Sequence, residues 1–87
     1  MRALGDSDAK VRSQAAWALG AIDSPAGVAG LMRAVQDDKD ASVRSQAAWA
    51  LGAIGDGRAA PVLATALKDP DVKVRRQAAW ALGVIDK

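Results

Sequence analysis

Trp17, Trp49 and Trp80 are the only aromatic side chains among 87 residues. Each sits in nearly the same run: "VRSQAAWALGAI" at residues 11–22 and 43–54, and "VRRQAAWALGVI" at 74–85. An indole combines large, rigid apolar area with one N–H donor, which suits it to anchoring a protein interface. Beside the indoles recur Arg12, Arg44 and Arg75, each four positions after Asp8, Asp40 and Asp71. Such guanidinium groups could serve a structural role or bind phosphate. The remaining chemistry is carboxylate: "DDKD" at 37–40 and "DPD" at 69–71. An EF-hand would need a Gly and a closing Glu in its roughly twelve-residue loop. The chain has no Glu, so these acids read as helix caps and polar turns, and no metal site is expected.

The common parts of catalysis are missing from the residue set. There is no His, Cys or Tyr, which removes the usual general bases and nucleophiles. Ser13 and Ser45 have no base beside them in sequence. No cofactor is expected, and the chain reads as a non-enzyme.

Composition narrows the partner class. The formal net charge is only +2, and most Lys and Arg stand near an Asp, so no continuous basic stripe favours nucleic acid. A protein partner is the better expectation. No uncharged run approaches the roughly 18 residues of a membrane span, and "MRALGDSDAK" lacks the apolar stretch of a signal peptide. The default expectation is a soluble, cytoplasmic chain.

The elements that position these residues follow from the repeat. The tryptophans are spaced by 32 and 31 residues, the difference arising because "QDDKDASVR" is one residue longer than "KDPDVKVR". Between them a looser pair, "SPAGVAGLMRAV" (24–35) and "DGRAAPVLATAL" (56–67), completes each unit as helix A, turn, helix B. In helix B, Asp8, Asp40 and Asp71 stand at the N-cap, and Asp8 with Arg12 is placed for an i,i+4 pair. Val11, Ala15, Ala18, Leu19 and Ile22 fall on one helical stripe, as do Val43, Ala47, Ala50, Leu51 and Ile54. Helix A offers Val28, Leu31, Met32 and Val35, then Val62, Leu63, Ala66 and Leu67, with Pro61 tolerated in a first turn. Half of all residues are hydrophobic (51%) but mostly Ala, so the core must come from close helix approach rather than large side chains.

A period of this length with two helices per unit predicts an all-α chain, an α-solenoid or alpha-alpha superhelix. "DPDVKVRRQAAWALGVI" and "IGDGRAAPVLATALKDPD" resemble the HEAT-like repeats of the phycobilisome-lyase type and the artificial binding scaffolds built from their consensus. The resemblance covers nearly the whole chain. It implies about two and a half helical-hairpin repeats in one domain, residues 1–87: a partial repeat at 1–22, then repeats at 23–54 and 55–87. Five helices are expected, in the order B, A, B, A, B. "MRAL" aligns with "MRAV" at 32–35, so the first helix A is represented by its last turn alone.

On the helical wheel Trp17 lies about 140° from the centre of the core stripe, flanked by Ser13, Gln14, Gly20 and Ala21. In HEAT-like stacks helix B lines the inner, concave surface. The resemblance implies that the partner-binding positions are Ser13, Gln14, Trp17 and Ala21, then Ser45, Gln46, Trp49 and Ala53, then Arg76, Gln77, Trp80 and Val84. Packed helices would space the indoles about 10 Å apart. Two roles compete for them: anchoring a partner, or lying across the groove between neighbouring B helices to finish the stack. The resemblance also suggests that Arg12, Arg44 and Arg75 form a ladder with Asp of their own or a neighbouring repeat.

Neither end carries a capping repeat with a polar outer face, which solenoids need. The chain reads either as a fragment of a longer array or as a compact designed or minimal protein. Both readings predict a homo-oligomer, dimer or higher, formed by end-to-end stacking, helix exchange or pairing of Trp faces. The different-class alternative is a piece of a pigment-lyase-like or nucleic-acid-binding HEAT-like protein that uses the Trp face.

Overall fold

Helix starts are set by aspartates that accept their own helices' amides. Asp8 Oδ1 accepts the Lys10 N–H at 2.8 Å, Asp40 Oδ1 the Ser42 N–H at 2.8 Å, and Asp71 Oδ1 those of Lys73 and Val74 at 2.8 and 3.2 Å. The predicted caps are thus in place, each relieving amides that a helix start leaves unpaired. The computed structural model describes residues 3–86 and places five α-helices: α1 Ala9–Ala21, α2 Val28–Asp37, α3 Ala41–Ile54, α4 Ala60–Ala66 and α5 Val72–Ile85. Among the described residues there is no strand. The order B, A, B, A, B holds, and the fold is the expected all-α helical repeat.

The A helices are shorter than their sequence segments. Pro25–Gly27 and Gly57–Ala59 are 3₁₀ turns that lead into α2 and α4. Pro25 and Asp56 explain the break: Pro fixes the first turn, while Asp56 Oδ1 accepts the Arg58 N–H at 2.9 Å. Pro61 sits in the first turn of α4, where its absent N–H costs nothing. α2 runs ten residues against seven in α4. Of the first helix A, Met1 and Arg2 lie outside the described residues, and Ala3–Gly5 form a single 3₁₀ turn.

Two layers result. In one, α3 is packed between α1 and α5; in the other, α2 covers α3, α4 covers α5, and α2 touches α4. The slab measures 33 × 27 × 16 Å, its thinnest dimension matching two stacked helices. Its centre is Leu31, Leu51, Leu63, Val28, Val43 and Val74, all fully buried. Alanine fills the remaining contact: Ala16, Ala47, Ala48, Ala50, Ala78 and Ala81 expose nothing. Leu67, expected on the apolar side of helix A, instead caps α4 and is 42% exposed.

The apolar stripe of helix B behaves differently in the three copies. Val43, Ala47 and Ala50 of α3 are buried, as are Val74, Ala78 and Ala81 of α5, whereas Val11 of α1 is 36% exposed and Ile22 71%. α1 has only the Ala3–Gly5 turn in place of a helix A, so Val11 and Ile22 lack the cover that α2 and α4 give α3 and α5, while Leu19 stays buried. A second buried stripe lies beside the one that helical periodicity predicts. Arg12, Ala16 and Gly20 are buried against the following unit; Ala48 and Gly52 repeat this in α3, while Arg75, Ala79 and Gly83 of α5 are exposed.

Helix ends show the same periodicity. Gly55, after α3, takes φ 77°, the left-handed conformation that glycine adopts freely. The equivalent residue after α1 is Asp23 at φ 55°. There the Asp23 N–H donates to Gly20 O at 3.2 Å and the Ser24 N–H to Leu19 O at 3.1 Å, a Schellman ending built without its usual glycine.

Candidate interaction surface

The arginines join units to one another. Arg12 Nε donates to Asp38 Oδ2 at 2.8 Å and Nη2 to Asp38 Oδ1 at 3.2 Å. Arg44 repeats the fork on Asp69 at 2.9 and 3.2 Å. The remaining nitrogen holds each arginine's own turn: Arg12 Nη1 donates to Asp6 O and Ser7 O, Arg44 Nη1 to Asp38 O, and Arg75 Nη1 to Asp69 O and Pro70 O. The ladder suggested by the resemblance forms at Arg12 and Arg44, where it runs to the next unit, whereas Arg75 meets only backbone carbonyls of its own turn. The expected i,i+4 pair does not form, because Asp8 is engaged as a cap and Arg12 extends past it to Asp38. Side-on pairing satisfies the fork and both carboxylate oxygens at once, which a Lys could not do.

Electrostatics follow this geometry. Hydrogen bonds to Asp38 and Asp69 hold the Arg12 and Arg44 guanidiniums above their ordinary pKa. Burial pushes the Asp69 carboxyl up, but hydrogen bonds from Arg44 and the Asp71 backbone outweigh it and keep the group below its ordinary value. Asp40 is likewise lowered, first by the Ser42 N–H at the helix start. Arg58 and Asp56 pair at 2.8 Å within one turn. Arg58 is 64% exposed there, so that contact contributes little to stability.

Trp49 and Trp80 lean on the preceding B helix. A β-carbon built on Gly20 would lie 2.8 Å from Trp49 Cζ3 and 2.7 Å from Ala50 Cα; one on Gly52 would lie 2.5 Å from Trp80 Cζ3 and 2.9 Å from Ala81 Cα. Each glycine thus makes room for the next unit's ring and backbone. Exposure follows from neighbours. Trp49, with B helices on both sides, is half-buried; Trp80, with a preceding one only, is 45% exposed; Trp17, with a following one only, is 53% exposed. The rings therefore seal the seam between units while keeping one side to solvent.

The other implied positions surround this seam. Ser13, Ser45, Gln46 and Gln77 are half-buried, Gln14, Ala21, Ala53 and Arg76 exposed, and Val84 half-buried. Ser13, Ser45 and Gln46 come together in a shallow groove with Ala41, Ser42, Asp71 and Lys73, where the N-terminal ends of the B helices meet. Gln14 lines a second groove with Asp8, Lys10 and Asp40. Both grooves are open and carry polar side chains, suited to contact with a surface rather than to enclosing a small molecule.

Comparison with known proteins accords with this architecture. A family model described as HEAT repeats matches residues 1–86. No curated protein matches the sequence. Among solved structures, a chain in the complex of CpcE and CpcF of phycocyanin lyase from Nostoc sp. PCC7120 superposes with a TM-score of 0.91 at 35% identity, over 99% of this chain and 35% of that one. Human deoxyhypusine hydroxylase in complex with glycerol gives a TM-score of 0.91 at 28% identity, over 98% of this chain and 30% of that one. The chain thus spans about a third of the length of each structure.

Proposed function

The chain belongs to the HEAT-repeat family, and from that premise we propose that it is a non-catalytic scaffold that binds protein partners, other copies of itself included. The observation that carries this reading is the recurring B-helix face, which presents an indole, a Gln and a small residue in each unit and leaves Trp17 and Trp80 about half exposed. Exposed indoles beside polar groups are what binding hot spots use, and apolar area left open at both outer B helices favours association. The likeness to a chain solved within the CpcE–CpcF complex supports a protein partner. On the chemical side, Asp8, Asp38, Asp40, Asp69 and Asp71 are engaged as caps or ion pairs, and the sequence has no His, Cys, Tyr or Glu to act in their place.

The test is the mass of the chain in solution. Sedimentation between about 5 and 100 μM should give a weight-average mass that rises above the 8.9 kDa of one copy. A single 8.9 kDa species throughout that range would overturn self-association.

A further inference from the structure

Every seam between units is made of two half-faces. The trailing half on α1 is Arg12, Ala16 and Gly20, and on α3 Arg44, Ala48 and Gly52. The leading half meets it with an Asp from the turn, a small apolar stripe and the indole: Asp38, Ala50 and Trp49 on the α3 side, Asp69, Ala81 and Trp80 on the α5 side. The described residues also hold one unused half of each kind. On α1 the leading half is Asp6, Ala18 and Trp17, the last 53% exposed. On α5 the trailing half is Arg75, Ala79 and Gly83, all exposed.

We propose that these two halves take each other, so that the α5 face of one copy docks on the α1 face of the next and continues the solenoid in register. The proposal rests on the self-association reading and specifies its surface. Charge is complementary: Arg75 already binds its own turn through Nη1, and its Nε and Nη2, the atoms that Arg12 and Arg44 direct at the next Asp, meet no carboxylate among the described residues. Asp6 matches Asp38 and Asp69 in place, its Oδ1 accepting the Asp8 N–H at 2.8 Å as they accept those of Asp40 and Asp71. Shape is complementary as well. Gly20 and Gly52 are closed by Trp49 and Trp80, whereas a β-carbon on Gly83 would meet nothing within 4 Å, leaving a seat for Trp17 of another copy. Such a contact is head-to-tail, so it propagates instead of closing at a dimer.

Gly83→Ala tests this directly. Within one copy the methyl group has open space and favours helix, so circular dichroism and melting should match or exceed the wild-type chain. In the docked seam that methyl would strike the next copy's Trp17 and Ala18, and association should weaken at least about tenfold. The variant keeps its α1 face. Added in small proportion to wild-type chain, it should therefore terminate growth and lower the weight-average mass. Wild-type mass that levels off at a dimer, or assembly undiminished in Gly83→Ala, would overturn the head-to-tail seam while leaving self-association standing. A monomer at every concentration would overturn both.

Discussion

Arg44 and Asp69 meet side-on across 25 positions of sequence, Nε to Oδ2 at 2.9 Å and Nη2 to Oδ1 at 3.2 Å, both side chains largely covered. The pair ties the start of α3 to the turn that launches α5. Removing one partner leaves the other covered and charged without a partner, which costs more than the pair contributes. Arg44→Ala should therefore lower stability by roughly 1–3 kcal/mol, read as a fall of about 5–15 °C in melting temperature for a domain this size. Arg44→Lys should recover less than half of the loss, because an ammonium cannot span both oxygens.

The same geometry sets the acid limb of stability. Asp40 and Asp69 have folded-state pKa values below the unfolded carboxyl value of 3.8. A lowered folded pKa means that the unfolded chain binds more protons, so the contribution is fully present above the unfolded value and lost as pH falls through 3.8 toward the folded values. Melting temperature should thus be flat near neutrality and drop steeply below about pH 4. Asp69→Asn should be less stable at neutral pH and show a shallower acid limb. The arginines, held above their ordinary value, keep their contribution through the whole working pH range and lose it only in strong alkali.

How much of this was legible in sequence depends on whether a residue's role lies within its own helix. Asp8, Asp40 and Asp71 act over two or three positions, and the repeat and cap patterns identify them directly. Val11 looks the same as Val43 in any wheel, yet one is 36% exposed and the other buried. The difference is made by the helices packed around each copy, α2 on α3 but only a single turn beside α1, which helical periodicity does not register. Gly20 was legible only as a residue flanking Trp17, and Gly52 as its repeat. Their purpose is to admit the next unit's indole and backbone, a contact across more than 25 positions. Arg12 illustrates the same limit, since four-residue spacing suggests Asp8 and the fold supplies Asp38.

Asp23 occupies a left-handed backbone position, φ 55°, that the next unit gives to Gly55 at φ 77°. A β-carbon in this region crowds the neighbouring carbonyl, although Asp tolerates it better than most residues. Asp23→Gly should raise stability by about 0.5–1 kcal/mol, and the reciprocal Gly55→Asp should lower it by a similar amount. Urea titrations with unchanged slope would attribute both changes to the folded helix ends; a destabilised Asp23→Gly would show that the side chain compensates locally.

The three glycines of the B helices are chemically alike and should respond in opposite directions. Alanine at any of them gains up to about 1 kcal/mol of helix propensity. At Gly20 and Gly52 the added carbon would fall 2.7 and 2.9 Å from the backbone Cα of Ala50 and Ala81, so the helices must separate. The net effect there should be a loss of roughly 1–3 kcal/mol. Gly83→Ala, with open space around it, should be neutral or stabilising in the monomer, as melts at low concentration would show.

Exposure orders the tryptophans. Trp49, enclosed between α1 and α5, should emit furthest to the blue when each indole is isolated by replacing the other two with Phe, with Trp17 and Trp80 redder. Trp49→Ala should cost the most, on the order of 2–3 kcal/mol, less than for a fully buried indole because part of the ring already faces solvent. Trp17→Ala should change monomer stability by under about 1 kcal/mol, since no preceding B helix supports its ring. The two substitutions separate structure from association. An indole that seals an internal seam lowers the melting temperature at every concentration, and one that seals a seam between copies chiefly lowers the mass. Equal losses of melting temperature for Trp17→Ala and Trp49→Ala in dilute monomer would show that the ring is supported within its own unit, against the seam geometry of Gly20 and Trp49.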